Sequence, residues 1–182
     1  ISHALQSMPP SKRQKAFAKD TSKLIHMGLN ENNYGMSPKA VAALEESMAG
    51  SHFYPDFAAV LLKQKVAEQY GLKAENVLTG AGSSAMIDMI GLTFLDEGDE
   101  VLFSAPTYGA FADMAYLNGG VPVSVPVTEE QKFNLPAMKE KIGEKTKIVV
   151  ICNPNNPTGV LYPKELLLEI IQIARESGLL IF

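Results

Sequence analysis

The run Ile148-Val149-Val150-Ile151, which ends in Cys152-Asn153-Pro154-Asn155-Asn156-Pro157-Thr158-Gly159, constrains the fold more than any other part of this chain. Four consecutive β-branched apolar residues have no polar face to turn toward water. They read as a strand covered on both sides, the situation of a strand inside a parallel sheet. The polar segment that follows is stiff. Pro154 and Pro157 each fix one φ and remove one N–H donor. Asn155, between the prolines, and Asn156, directly before Pro157, are biased toward extended backbone. A rigid loop bearing amides beyond a strand's carboxyl end lies where open α/β sheets bind ligands. The same residues also make a good turn with no ligand at all, so other parts of the chain must decide.

Those parts alternate. Ser37-Pro38 opens a helix with Ser37 as cap and Pro38 at the first helical position, Val41, Leu44 and Met48 on its apolar face, and Gly50 as its stop. A second helix is predicted over 57–70, closed by Gly71. Strands then alternate with helices: strand 76–79, the turn Gly80-Ala81-Gly82 and a helix through Leu95; strand 100–104, Pro106-Thr107-Tyr108 and a helix to Asn118; strand 121–125 and a short helix 136–142; strand 147–151, the proline loop and a helix 163–177. This order implies parallel β-α units in a mostly parallel, doubly wound α/β sheet. Leu179-Leu180-Ile181-Phe182, after Gly178, reads as the start of one more buried strand, as in a chain that is incomplete at this end.

Composition narrows the chemistry. Apolar residues make up 46% of the 182, enough for a large core, and 20% are charged, too few for a disordered polyelectrolyte. A formal charge of −4 lacks the basic excess of a nucleic-acid partner, and no apolar run approaches a membrane span. The basic stretch Lys12, Arg13, Lys15, Lys19 and Lys23 reads as a solvated arm. One cysteine excludes an internal disulfide and fits a reducing, cytoplasmic setting. Cys152 reads as a small buried filler at a strand end. His3, His26 and His52 are too dispersed for a zinc site, so no metal is expected.

Three strand-to-helix loops carry candidate binding chemistry. Gly80-Ala81-Gly82-Ser83-Ser84 joins flexible backbone to two hydroxyls at a helix start, where unpaired N–H groups suit a phosphate. Its spelling also matches the Gly-x-Gly-x-x-Ala dinucleotide fingerprint. A dinucleotide site needs an acid at the carboxyl end of the next strand, however, and Asp96, Asp99 and Glu100 precede or open that strand. Tyr108 offers an aromatic face at the same sheet edge, and Asn156 is the best-placed amide of the proline loop. A flat ring bearing a phosphate and a polar substituent, such as pyridoxal phosphate, would use all three loops.

The markers Asn30-Glu31-Asn32-Asn33-Tyr34-Gly35, Tyr54-Pro55-Asp56, Gly82-Ser83-Ser84, Pro106-Thr107-Tyr108 and Asn153 to Gly159 occur in the order of a known family. From about Leu29 to Phe182 the chain resembles the fold-type I pyridoxal-phosphate aminotransferases of class I/II, and within them the histidinol-phosphate aminotransferase branch. The resemblance implies an amino-terminal arm and first helix over 1–50, packing with a small domain, and the amino-terminal part of a cofactor-binding large domain over 51–182. It implies that Gly82, Ser83 and Ser84 hold the cofactor phosphate, that Tyr108 stacks on the ring and that Asn156 bonds its phenolic oxygen. Tyr54 would reach the neighbouring subunit's cofactor in a homodimer, and Tyr34 would lie near substrate. The implied reaction moves an amino group from an amino acid or amino-alcohol phosphate to a 2-oxo acid. The family's Schiff-base lysine, its substrate-gripping arginine and the aspartate that pairs with the pyridine nitrogen would all follow Phe182, so no catalytic residue is assigned here. Asn33 stands where the branch usually has proline, and Ser83-Ser84 where many members have an acidic pair. The rival readings are a nicotinamide-dependent dehydrogenase and a non-catalytic binding scaffold.

Overall fold

Parallel strands covered on both faces require helices above and below the sheet, and residues 80–182 are built in that way. The structure is a computed structural model that describes Gln6, Ile25 and residues 27–182. The basic stretch from Lys12 to Lys23, with His3 and His26, lies outside the described residues. The described chain divides between Thr79 and Gly80 into two compact units.

In residues 27–79, α1 (Pro38–Ser47) starts as predicted. Ser37 Oγ accepts from the Ala40 N–H at 3.2 Å, and Pro38 occupies a first-turn position that needs no donor. A 3₁₀ turn, Met48–Gly50, follows. The predicted apolar stripe of Val41, Leu44 and Met48 is exposed. Helix α2 (Val60–Tyr70) begins at residue 60 rather than 57, because Asp56 claims the intervening amides. Its carboxylate accepts from Ala58 N at 3.0 Å and Val60 N at 2.8 Å, while Ala59 turns to a positive φ of 48°. Gly71, at φ 64°, closes the helix where a side chain would be strained. The strand predicted over 76–79 does not form. Ala74–Asn76 is a 3₁₀ turn, and although Val77 has extended backbone, no strand among the described residues pairs with it. Extended backbone becomes a strand only by exchanging hydrogen bonds with a neighbour.

In residues 80–182 the order is α3 (Gly82–Phe94), β1 (Glu100–Ala105), α4 (Ala110–Leu117), β2 (Val121–Pro126), α5 (Leu135–Lys141), β3 (Thr146–Val150), α6 (Lys164–Glu176) and β4 (Leu180–Ile181). The four strands pair in the order β2-β1-β3-β4, all parallel. Pro122 and Pro126 fall on β2, which has a ladder partner on one side only, so their missing donors break no ladder.

Alternation along the central strands divides the core. Val101, Phe103, Ile148 and Val150 point to one face and pack with Ile87 of α3 and Phe111, Met114 and Ala115 of α4. Leu102 and Val149 point to the other face, with Met138 of α5, Ile170 and Ile173 of α6, and Phe133 and Tyr162 from the loops. The doubly wound expectation holds. Cys152 is half-buried against the first cluster, with Sγ 3.6 Å from the Pro154 carbonyl. Among the described residues no helix is long and apolar enough to cross a membrane.

The close approach of α3 to α4 depends on Gly91. A Cβ there would lie 2.7 Å from Met114 Cγ, beside the Asn118 amide, which itself donates to Met114 O at 2.8 Å. Gly91→Ala is expected to destabilise the fold by about 1–3 kcal/mol through overpacking. A urea melt should show this as a lower midpoint with an unchanged slope.

Candidate functional site

The chain leaves β1, passes through α4 to β2 on one side, and then returns across the sheet to β3 on the other side of β1. The direction of winding therefore reverses between β1 and β3. The crevice outside the carboxyl ends of two such strands is the customary ligand position in open α/β sheets. Tyr108 lies in the loop leaving β1, and Asn156 in the loop leaving β3. Helix α3 enters β1 through the short connection 95–99, so it runs opposite to β1 and begins at this same edge. Ser83 and Ser84 are in its first turn. Ile87, one turn further in, shares a core cluster with the strand residues against which Tyr108 packs. All three predicted loops of this unit thus converge on one sheet edge.

The proline loop is closed on itself by hydrogen bonds. Tyr162 N donates to Asn153 Oδ1 at 2.8 Å, Asn155 N to Val160 O at 2.9 Å, and Gly159 N to Asn155 O at 2.7 Å. It is also tied to β1, where the buried Ser104 hydroxyl and the Tyr162 hydroxyl are 3.3 Å apart. The strongest tie is one the sequence reading did not single out. Asn155 is 2% exposed, and its side chain reaches across to the β1 loop. Its Oδ1 accepts from Thr107 Oγ1 at 2.8 Å, while its Nδ2 donates to Pro106 O at 3.0 Å and to Thr158 Oγ1 at 2.9 Å. No feature of a single sequence pairs Thr107 with Asn155, because the contact spans 48 positions.

Asn156 stands next to this anchor and differs from it in kind. It is half-buried, and its side chain makes no hydrogen bond among the described residues. The amide thus remains available at the position the sequence reading chose. Tyr108 is half-buried and meets Phe111 edge-on, with ring centroids 5.8 Å apart. Phe111 in turn meets Phe182 edge-on at 6.1 Å. These contacts hold Phe111 as the floor beneath Tyr108. Ser83 does not cap α3: the cap position is Ala81, without a side-chain bond, and Ser83 and Ser84 are exposed within the first turn. Gly82 opens the helix at φ 80°, a conformation that favours glycine. The glycine-serine turn follows unpaired backbone, not the predicted strand.

The residues of these loops, 80–85, 105–109 and 151–160, include no charged side chain. What they offer is neutral: hydroxyls, an amide, an aromatic face and the partial positive charge of a helix start. The acids that a dinucleotide would need are at the opposite edge, where Asp99 Oδ2 accepts from Asp96 N at 3.0 Å before β1 begins. Among the described residues no cluster of metal ligands occurs. Tyr54 and Tyr34 belong to the unit 27–79. Tyr54 is 88% exposed, with its ring 5.7 Å from that of Phe57, and Tyr34 is fully exposed beside a turn in which Asn32 Nδ2 donates to Gly35 O at 2.8 Å.

The two neighbouring asparagines should separate by stability. Asn155→Ala leaves the Pro106 carbonyl and the Thr107 hydroxyl without this partner and takes one of two donors from Thr158 Oγ1, and is expected to cost about 2–3 kcal/mol. Asn156→Ala removes no internal bond and should stay within about 0.5 kcal/mol of the parent. Denaturant melts of the two variants test this contrast.

Residues 22–182 match the family model described as aminotransferase class I and II. Histidinol-phosphate aminotransferase 1 of Bacillus cereus is 39% identical over 160 residues, which cover 88% of this chain and 43% of that protein. An aromatic amino acid aminotransferase of Corynebacterium glutamicum is 38% identical over 130 residues, 71% of this chain and 38% of that one. A solved double mutant of Thermus thermophilus aspartate aminotransferase superposes with a TM-score of 0.84 at 26% identity, covering 100% of this chain and 52% of the other. The chain spans about two fifths of the length of the curated relatives it matches. The parallel α/β fold is that of the fold-type I transferases. On the extent of these matches, the chain belongs to the aminotransferase class I and II family.

Proposed function

We propose that this chain provides the amino-terminal share of a pyridoxal 5'-phosphate-dependent aminotransferase, in which residues 80–182 hold the cofactor. The observation that carries the reading is the contrast at the proline loop: Asn155 is consumed internally, while Asn156 next to it keeps an uncommitted amide at the reversal point of the sheet. The donor set fits the group. The start of α3 supplies the Ser83 and Ser84 hydroxyls and the first-turn backbone for a phosphate, with Gly82, whose own N–H goes to Gly80 O at 2.9 Å, shaping the turn. Tyr108 supplies a ring face, and Asn156 a donor for the phenolic oxygen. When bound, the cofactor supplies an electron sink for the substrate's α-carbon. The residues of this chain bind and orient it, and none of them is assigned a proton-transfer role.

The transfer we propose takes an amino group from an amino acid or an amino-alcohol phosphate to a 2-oxo acid. The histidinol-phosphate relative supports the phosphorylated donor, and the aromatic amino acid relative supports a second substrate class on the same framework. Tyr34 is proposed to lie near substrate, and Tyr54 to reach the cofactor phosphate of a second copy in a homodimer. The exposure of Tyr54 leaves its hydroxyl accessible for that contact. A single cysteine, Cys152, accords with a cytoplasmic protein. Residues 1–50 are proposed as an arm and first helix that pack with a small domain, and 51–182 as part of the large domain.

Asn156→Ala in the full-length protein tests the assignment. It should shift the pH midpoint of the bound cofactor's visible absorbance by about one unit, the size of one lost hydrogen bond to a charged oxygen. Ser84→Ala should raise the dissociation constant for pyridoxal phosphate about 10-fold. A titration curve unchanged by Asn156→Ala would remove the role given to that amide.

A further inference from the structure

We propose that Asn155 is a positioning residue, whose buried amide fixes where Tyr108 and Asn156 stand relative to each other. This inference rests on the cofactor reading above. Thr107 immediately precedes Tyr108, and Asn155 immediately precedes Asn156, so the bond between Thr107 and Asn155 joins the backbone neighbours of both proposed cofactor contacts.

The chemistry fixes the orientation of the amide. The Pro106 carbonyl only accepts, so the group facing it at 3.0 Å is the Nδ2 donor. Oδ1 then faces Thr107 Oγ1 at 2.8 Å, and the threonine hydroxyl is the donor. The second Nδ2 hydrogen goes to Thr158 Oγ1 at 2.9 Å, within the proline loop itself. The backbone of Asn155 is committed as well, its N–H to Val160 O and its carbonyl to Gly159 N. One 2%-exposed residue therefore holds the ends of two loops with five hydrogen bonds, and both of its amide hydrogens are used.

Substitution by aspartate would remove both side-chain donations and place a charge facing the Pro106 carbonyl. Serine is too short to span the gap. The position thus calls for a neutral amide of this length. A displacement of about 1 Å between bound groups is enough to change their chemistry 100-fold. Loosening this tie would therefore be felt at the cofactor and not only in the stability of the fold.

The test uses the full-length holoenzyme and four variants: Asn156→Ala, Asn155→Ala, Thr107→Val and the double variant Asn155→Ala/Asn156→Ala. Two quantities are read: the pH midpoint of the bound cofactor's visible absorbance and the urea midpoint of the cofactor-free protein. Asn155→Ala is expected to move the absorbance midpoint in the same direction as Asn156→Ala, by up to about one unit. The double variant should move it no further than Asn156→Ala alone, because a positioning residue acts through the group it positions. Thr107→Val keeps four of the five bonds at Asn155 and should give a smaller shift of the same sign, so it carries the test if Asn155→Ala fails to fold. A lowered urea midpoint with a parental absorbance midpoint in both Asn155→Ala and Thr107→Val would overturn the proposal and leave the cofactor site standing. Additive shifts in the double variant would also overturn it. An Asn156→Ala protein with a parental titration would instead sink the cofactor reading, and this inference with it.

Discussion

The amide of Asn155 is the interaction on which the candidate site depends. Each parallel strand ends in a loop that the sheet itself does not organise, because ladder hydrogen bonds stop where the strands stop. Something must fix the loop after β1 against the loop after β3. A polar side chain buried at that point is stable only when its hydrogen bonds are complete. Asn155 meets that condition with partners drawn from both loops. Its burial therefore favours one relative arrangement: displacing either loop leaves an amide donor or acceptor of Asn155, itself 2% exposed, without its partner, at about 1–3 kcal/mol for each group. The Ser104–Tyr162 hydroxyl pair makes the same argument a few residues deeper, between β1 and the far end of the proline loop.

Below that anchor, the sheet acts as a lever arm for the site. Val101 and Phe103 pack toward α3 and α4, while Leu102 and Val149 pack toward α5 and α6, so the central strands are clamped from both faces. Interiors packed at this density resist shear. The β1 and β3 carboxyl ends are consequently set by the core, and only the final few residues of each loop remain for Asn155 to place. Phe111 links the two levels. It is buried in the first cluster and meets Tyr108 edge-on, so the ring proposed to cover a cofactor rests on the hydrophobic core itself.

Much of this was legible in the residues. The β-branched run at 148–151 announced a strand with no solvent face, and the spacing of glycine and proline located nearly every strand-to-helix turn. Two elements went differently, for reasons outside local pattern. Residues 76–79 look like a strand, but a strand needs a pairing partner, and no strand among the described residues pairs with them. The start of α2 was displaced because the Asp56 carboxylate took two backbone amides before the helix could. At the site, Asn156 and Tyr108 stand in loops that follow strands β3 and β1, as their sequence positions imply, and the serines follow unpaired backbone at a helix start, whereas the sequence marks Asn155 only by its backbone. Its function as a tie depends on a threonine 48 positions away, and only a folded chain brings the two together.

The character of the edge follows from what these loops lack. With no charged side chain in 80–85, 105–109 or 151–160, the attraction proposed for an anion rests on the first-turn backbone of α3 beyond Gly82 and two exposed hydroxyls. A helix start presents roughly half an elementary charge, and its effect fades within the first turn. Such a set discriminates by geometry more than by field. It rewards a ligand whose anionic group, flat face and polar substituent arrive at the correct separations, and gives little to an anion alone. In our proposal the Asn155 bridge controls one of these separations, that between the loops bearing Tyr108 and Asn156. The neutrality of the loops and the rigidity of their anchor are thus two parts of one arrangement: where charge does not hold a ligand in place, the donors themselves have to be held.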